Sequence, residues 1–169
     1  MTLTTKLNLS LAAKLTAPLD LGSALANLAF AHAVDLADGT GAGQANRAWS
    51  DTRTLAASGT EDLDLAGALL DGLGGSVVLA RVKLLVVRAA AGNTNNLVVG
   101  NASSNAWATL LGATHTVTLR PGACLLVAAG PEDATGYAVT AGTGDLLKVA
   151  NAAGGSAVSY DIAVVGASA

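Results

Sequence analysis

Between Leu3 and Leu15 the chain keeps two kinds of residue apart. Leu3, Leu7, Leu9, Leu11 and Leu15 stand at odd positions, and Thr2, Thr4, Lys6, Asn8, Ser10 and Lys14 at even ones. Strand side chains point alternately to opposite faces, so this spacing predicts one or two half-buried strands rather than a helix. Pro18 interrupts the pattern and suits an edge or a turn. Leu28, Phe30, His32, Val34 and Leu36 form a second alternating run, and Asp38-Gly39-Thr40-Gly41-Ala42-Gly43 reads as a flexible loop. Burying a leucine is worth about 1.5–3 kcal/mol, so a face of five leucines needs a cover. Two covers are open: the domain's own sheet, with this segment as an ordinary first strand, or another copy, with the segment as an arm.

The same period runs through the rest of the chain. Arg47 to Ala57 reads as a strand, and Glu61 to Ala66 as another, followed by one short helical turn ending at Gly74. Ser76 to Ala90 is the strongest strand. Val78, Ala80, Val82, Leu84 and Val86 are expected on its core face, with Arg81 and Lys83 in the middle of the other. Gly92-Asn93-Thr94-Asn95-Asn96 predicts a turn from which Leu97 to Gly100 pairs back as a hairpin. Further strands are predicted at Thr114–Arg120, Ala123–Ala129, Tyr137–Thr140, Asp145–Asn151 and Ala157–Val165, punctuated by Gly and Pro. Many short strands so punctuated give an all-β fold, a jelly roll or β-sandwich with an N-terminal strand or arm. Residues 1–45 hold the N-terminal strands or arm and loop, and residues 46–169 the sandwich domain.

Composition narrows the function classes. Charged residues make up 12% of the 169, about half the usual share, and the net charge is −3. A nucleic-acid binder needs a clustered excess of Lys and Arg, so no nucleic-acid partner is expected. One Cys excludes an internal disulfide and a cysteine-based zinc site. No run of about 20 apolar residues is present: Val77 to Ala91 carries Arg81, Lys83 and Arg88, and five Asn residues interrupt Ala89 to Leu119. No membrane partner and no secretion signal are therefore expected.

A search for chemistry finds bland readings. Gly142-Thr143-Gly144-Asp145 lacks the Gly-Lys-Ser/Thr of a phosphate loop and reads as a β-turn. Asp35, Asp38, Asp62, Asp64 and Asp71 match no calcium-loop pattern. Cys124 is expected in a buried strand, and His32 and His115, in alternating strands, read as packing residues. Trp49, Trp107 and Tyr137 stand in or near expected loops, with core filling the role expected of at least one Trp. No catalytic, cofactor-binding or metal-ligating residue is assigned, and the chain is expected not to be an enzyme. The only basic concentration is Arg81, Lys83 and Arg88, which either pairs internally with Asp62, Asp64 or Asp161 or docks an acidic partner.

Three strings carry a resemblance. They are Asp62-Leu63-Asp64-Leu65-Ala66-Gly67 with Val82-Lys83 and Val98-Val99-Gly100-Asn101-Ala102-Ser103-Ser104-Asn105; Arg120-Pro121-Gly122; and Gly136 to Asn151 ending in Tyr160-Asp161-Ile162. Over about two-thirds of its length the chain resembles small virion structural proteins of tailed bacteriophages, of the head decoration or cement type with a jelly-roll fold. The resemblance implies a non-enzymatic protein that binds the outer capsid lattice and stabilises the head. Its partners would be the major capsid protein and further copies of itself, as dimer or trimer. It would sit on the capsid exterior of the virion after assembly in the host cytoplasm. The alternative is a tail- or fibre-associated virion module that binds a host surface. Leu3, Leu7, Leu9, Leu11, Arg81, Lys83 and Arg88 are the expected partner-binding residues, and no cofactor is implied.

Overall fold

A computed structural model describes residues 2–67 and 69–169; Met1 and Ala68 lie outside the described residues. The chain runs β1 (Thr5–Leu19), β2 (Gly22–Asp38), β3 (Gln44–Ala45), β4 (Arg47–Leu55), β5 (Thr60–Asp64), β6 (Leu69–Leu70), β7 (Ser76–Val77), β8 (Arg81–Ala89) and β9 (Leu97–Gly100). It continues through a single helical turn α1 (Ala108–Leu111) to β10 (Thr116–Leu119), β11 (Cys124–Ala128), β12 (Tyr137–Ala138), β13 (Leu146–Asn151) and β14 (Val158–Ala167). The fold is all-β, as its alternation predicts.

Two antiparallel sheets make the sandwich. One has the order β11-β8-β14-β4, with β12 also on β8; the other has the order β10-β9-β13-β5. Strand β14 shows why they close. Val158, Tyr160, Ile162 and Val164 are buried while the residues between them are half-exposed, the period-two pattern of a strand with one face in a core. They join Trp49 and Leu55 of β4 and Leu85 and Val87 of β8. Leu63, Leu97, Val99, Leu119, Leu147 and Val149 of the second sheet lie in the same cluster.

Several local expectations are corrected. The segment expected to make a helical turn ending at Gly74 instead forms the small hairpin β6–β7, with Leu69 opposite Val77. Asp71 shapes its turn by accepting the N–H groups of Leu73 and Gly75 at 2.9 and 2.8 Å, so the acid serves the turn rather than a helix. The asparagine cluster does not fold β9 back on β8. It carries the chain to the opposite sheet, where β9 pairs β10 and β13. Asn93 clamps this crossing: its amide donates to the Ser159 carbonyl at 2.9 Å and accepts the Ser159 N–H at 2.8 Å.

Val82 lies in the core as expected, but past it the core face of β8 is the reverse of the one expected. Val165 pairs with Leu84 but Gly166 with Val82, leaving Lys83 as the extra residue of a β-bulge. Beyond the bulge Leu85, Val87 and Ala89 face the core. Leu84 turns to the outer face, and Val78 is exposed.

Candidate functional site

Strands β1 and β2 form a hairpin with 15 paired positions, from Thr5↔Leu36 to Leu19↔Gly22, closed by the two-residue turn Asp20-Leu21. Opposed residues share a face. One face therefore carries Leu9, Leu11, Ala13, Leu15, Ala17 and Leu19 from β1 against His32, Phe30, Leu28, Ala26, Ala24 and Gly22 from β2. The other carries Lys6, Asn8, Ser10, Ala12, Lys14 and Thr16 against Asp35, Ala33, Ala31, Ala29, Asn27 and Leu25. The first face holds no Lys, Arg, Asp or Glu, and the second carries Lys6, Lys14 and Asp35 among small and polar residues beside Leu25, so the ribbon is amphipathic.

Only the base of the hairpin is covered by its own domain. Val34 and Leu36 are buried with Ala45 and Leu84, and Leu3, Leu7, Ala128 and Val165 pack around them. Thus the hairpin seals one end of the outer face of the five-stranded sheet. Bonds from backbone N–H groups fix the base: the Leu3 N–H donates to Asp38 Oδ1 at 3.1 Å, and where β2 pairs β3 the Ala37 N–H donates to the Gly43 carbonyl at 2.9 Å and the Gly39 N–H to the Ala45 carbonyl at 3.3 Å. Past this point the apolar strip runs into solvent. Leu9 is 41% exposed, Phe30 52% and Leu15 72%, and Leu11, Leu19 and Leu28 are exposed as well.

The expected partner-binding residues separate into three groups. Leu3 and Leu7 pack on the domain, whereas Leu9 and Leu11 lie on the open strip. The basic trio is occupied internally. Lys83 is 1% exposed and donates through Nζ to the Asp133 carbonyl, which removes it from any docking surface. Burial lowers its pKa, opposed by the Asp133 carboxylate and reinforced by Arg81. Arg81 donates to the Ala134 carbonyl at 2.6 Å, so both side chains hold the loop that ends at Gly136. Gly136 has a φ of +60°, and a Cβ there would stand 2.7 Å from the Val82 carbonyl oxygen; only glycine fits. Arg88 pairs with Asp161 Oδ2 from both Nε (3.0 Å) and Nη2 (2.5 Å). A hydrogen bond from the Thr52 hydroxyl, then the bond from Arg88, hold the Asp161 carboxyl below the usual range. This pair closes one side of a shallow 430 Å³ trough lined by Ser50, Val86 and Ala163.

Leu15, Leu19, Leu28 and Phe30 belong to the strip and were not among the expected residues. The signal that finds them is the two-residue turn with Gly22 just behind it, between two alternating runs, which pairs the runs as a hairpin. Cys124 is exposed at the start of β11, contrary to the buried thiol expected. His32 and His115 are exposed too, His115 just ahead of β10 rather than inside a strand. Both tryptophans are buried. Among the described residues no three His, Cys, Asp or Glu side chains are placed to hold one metal ion, and no helix is long and apolar enough to cross a membrane.

No protein-family model matches the chain, and comparison with curated proteins and with solved structures finds no match either.

Proposed function

We propose that this chain is a non-enzymatic structural protein whose work is assembly. The observation that supports this reading is the hairpin: an ordered apolar strip that its own domain leaves in solvent. Exposed apolar surface of this extent marks an interaction site in soluble proteins. An isolated two-stranded ribbon is only marginally stable in water, so the arm gains its order from a cover. The kind of assembly follows from the sequence resemblance to phage decoration proteins. On that reading the chain binds the major capsid protein on the outside of an assembled head and reinforces the lattice.

The test uses particles assembled without the chain. They are expected to form normally and to break at lower temperature and milder osmotic shock than complete particles, with robustness returning when the purified chain is added. Particles equally robust without it, but unable to adsorb to cells, would establish the tail- or fibre-associated alternative.

A further inference from the structure

We infer that the apolar strip of the arm is covered by the same strip of a second copy, the two arms lying antiparallel and face to face about a two-fold axis. The inference rests on the assembly reading above and names the arm's partner.

Length is the first argument. The uncovered strip spans 12 residues per strand, from Asn8↔Ala33 to Leu19↔Gly22, or about 40 Å at ~3.3 Å per residue. A cover must match that length. The open end of the outer sheet face offers only Val86, Leu126 and Ala163 before the Arg88–Asp161 pair, roughly four residues or 13 Å. The groove at the base of the hairpin is lined by Asp38, Arg47 and Asp71 beside Leu3 and Leu73, and is charged. Neither matches the strip in length and lack of charge, whereas the strip itself on another copy matches it in both.

Shape is the second argument. The strip tapers. Its base rows are Leu9/His32, Leu11/Phe30 and Ala13/Leu28; its tip rows are Leu15/Ala26, Ala17/Ala24 and Leu19/Gly22. Antiparallel pairing lays the thick rows of one arm on the thin rows of the other, Leu11/Phe30 against Ala17/Ala24 and Leu9/His32 against Leu19/Gly22. Parallel pairing would stack thick on thick and leave a gap at the tips. The result is a four-stranded sandwich with sheets ~10 Å apart. Each copy buries on the order of 700 Å², close to the ~800 Å² that each partner gives to a standard stable complex.

Neutrality is the third. A strip without Lys, Arg, Asp or Glu has little means of selecting a charged partner, whereas it meets a copy of itself without burying any of those side chains. The same amphipathic alternation would also suit a bilayer. However, both Trp and both Tyr of the chain lie beyond residue 48, so the arm lacks the interfacial aromatic girdle of membrane strands.

The experiment is sedimentation of the full chain beside Leu15→Glu and Phe30→Glu, with Lys14→Glu on the polar face as control. Wild type and Lys14→Glu are expected to sediment as dimers. The two strip variants are expected to show a two-fold loss of mass, with the circular dichroism of the sandwich unchanged. In a Cys124→Ser background, Leu11→Cys and Ala17→Cys chains carrying different tags are expected to cross-link to each other, and Ala17→Cys alone not to itself. A monomeric wild type at the highest soluble concentration overturns the inference. So do a dimer indifferent to both glutamates, self-cross-linking of Ala17→Cys, or release of dye by the monomer from phosphatidylcholine–phosphatidylglycerol vesicles. Particle binding and strengthening by a wild-type chain that is monomeric would sink the arm pairing alone; failure of a sound dimer to bind or strengthen particles would sink the capsid reading alone.

Discussion

Gly166 shows how much a missing Cβ can decide. A Cβ there would lie 2.1 Å from the Arg81 carbonyl oxygen and 2.9 Å from Leu79 Cδ2, at the bulge where β14 shifts against β8. Backbone on one side cannot yield as a flexible side chain could. Gly166→Ala is therefore expected to cost about 3 kcal/mol, the range for overpacking a tight site, read as a lower urea midpoint at unchanged slope; an unchanged midpoint would contradict it. Tyr160 is decided by burial. It is 1% exposed, and its hydroxyl donates to Glu61 Oε1 at 2.6 Å, while Arg53 holds Glu61 Oε2 at 2.8 Å. Burial first, and the bond to Glu61 second, push the phenol far above its usual range. The folded group thus keeps a proton that the unfolded one loses near pH ~10. Its contribution is complete below that pH and is lost above it. In Tyr137→Phe, Tyr160 is the sole tyrosine. Phenolate absorbance should then appear only together with alkaline unfolding, and a separate titration of the folded chain near pH 10 would contradict the assignment. Neither residue announces itself in the sequence, because Gly166 and Tyr160 owe their roles to neighbours 85 and 99 positions away.

At the scale of elements, alternation was a good guide to which segments are strands and a poor one to which face they bury. Strand β8 reads as one unbroken period-two run, yet the bulge at Lys83 exchanges its faces; a bulge is a property of two paired strands and leaves no mark in one of them. The thiol of Cys124 was misplaced for a related reason. Strand β11 lies at the sheet edge, pairing only β8, so its apolar run is half covered. For β1 and β2 both runs were legible, but their pairing to each other depends on the turn. Pro18 sits inside β1 opposite Ser23, tolerated because β1 is an edge strand that pairs only β2. The arm also divides sharply in energetic terms. Replacing residues 12–29 by an Asn-Gly turn leaves in place Leu3, Leu7, Val34 and Leu36, which pack on the sandwich. It is expected to leave the domain's unfolding free energy within about 0.5 kcal/mol at concentrations where the chain is monomeric. Extending the deletion through Val34 and Leu36 uncovers Leu84 and is expected to cost several kcal/mol, about 1.5–3 per buried side chain. Equal losses from both deletions in chemical denaturation would show that the distal arm packs on its own domain after all.

The whole molecule joins a domain whose core is complete to an arm whose core is missing. The domain half was legible because Gly and Pro punctuation with period-two runs specifies a sandwich class even when registers are not known. The arm half was legible only as a question, since one chain's sequence shows that a face is apolar without showing what lies on it. The order of strands in the sandwich carries a last consequence, for how the chain is made. Strand β14, residues 158–167, is not at an edge but lies between β8 and β4, pairing Tyr160 with both Ala89 and Arg53. On the ribosome the greasy arm emerges before the sandwich and can zip up by local contacts, while the large sheet stays split into two unjoined parts until β14 leaves the exit tunnel. Until β14 emerges the nascent chain thus displays finished leucine strips beside unfinished sheet edges, a combination prone to tangle between neighbouring ribosomes on one message. Slow synthesis would lengthen that exposure, so yield in an expression host should depend more on translation speed and chaperone supply than on the stability of the finished protein.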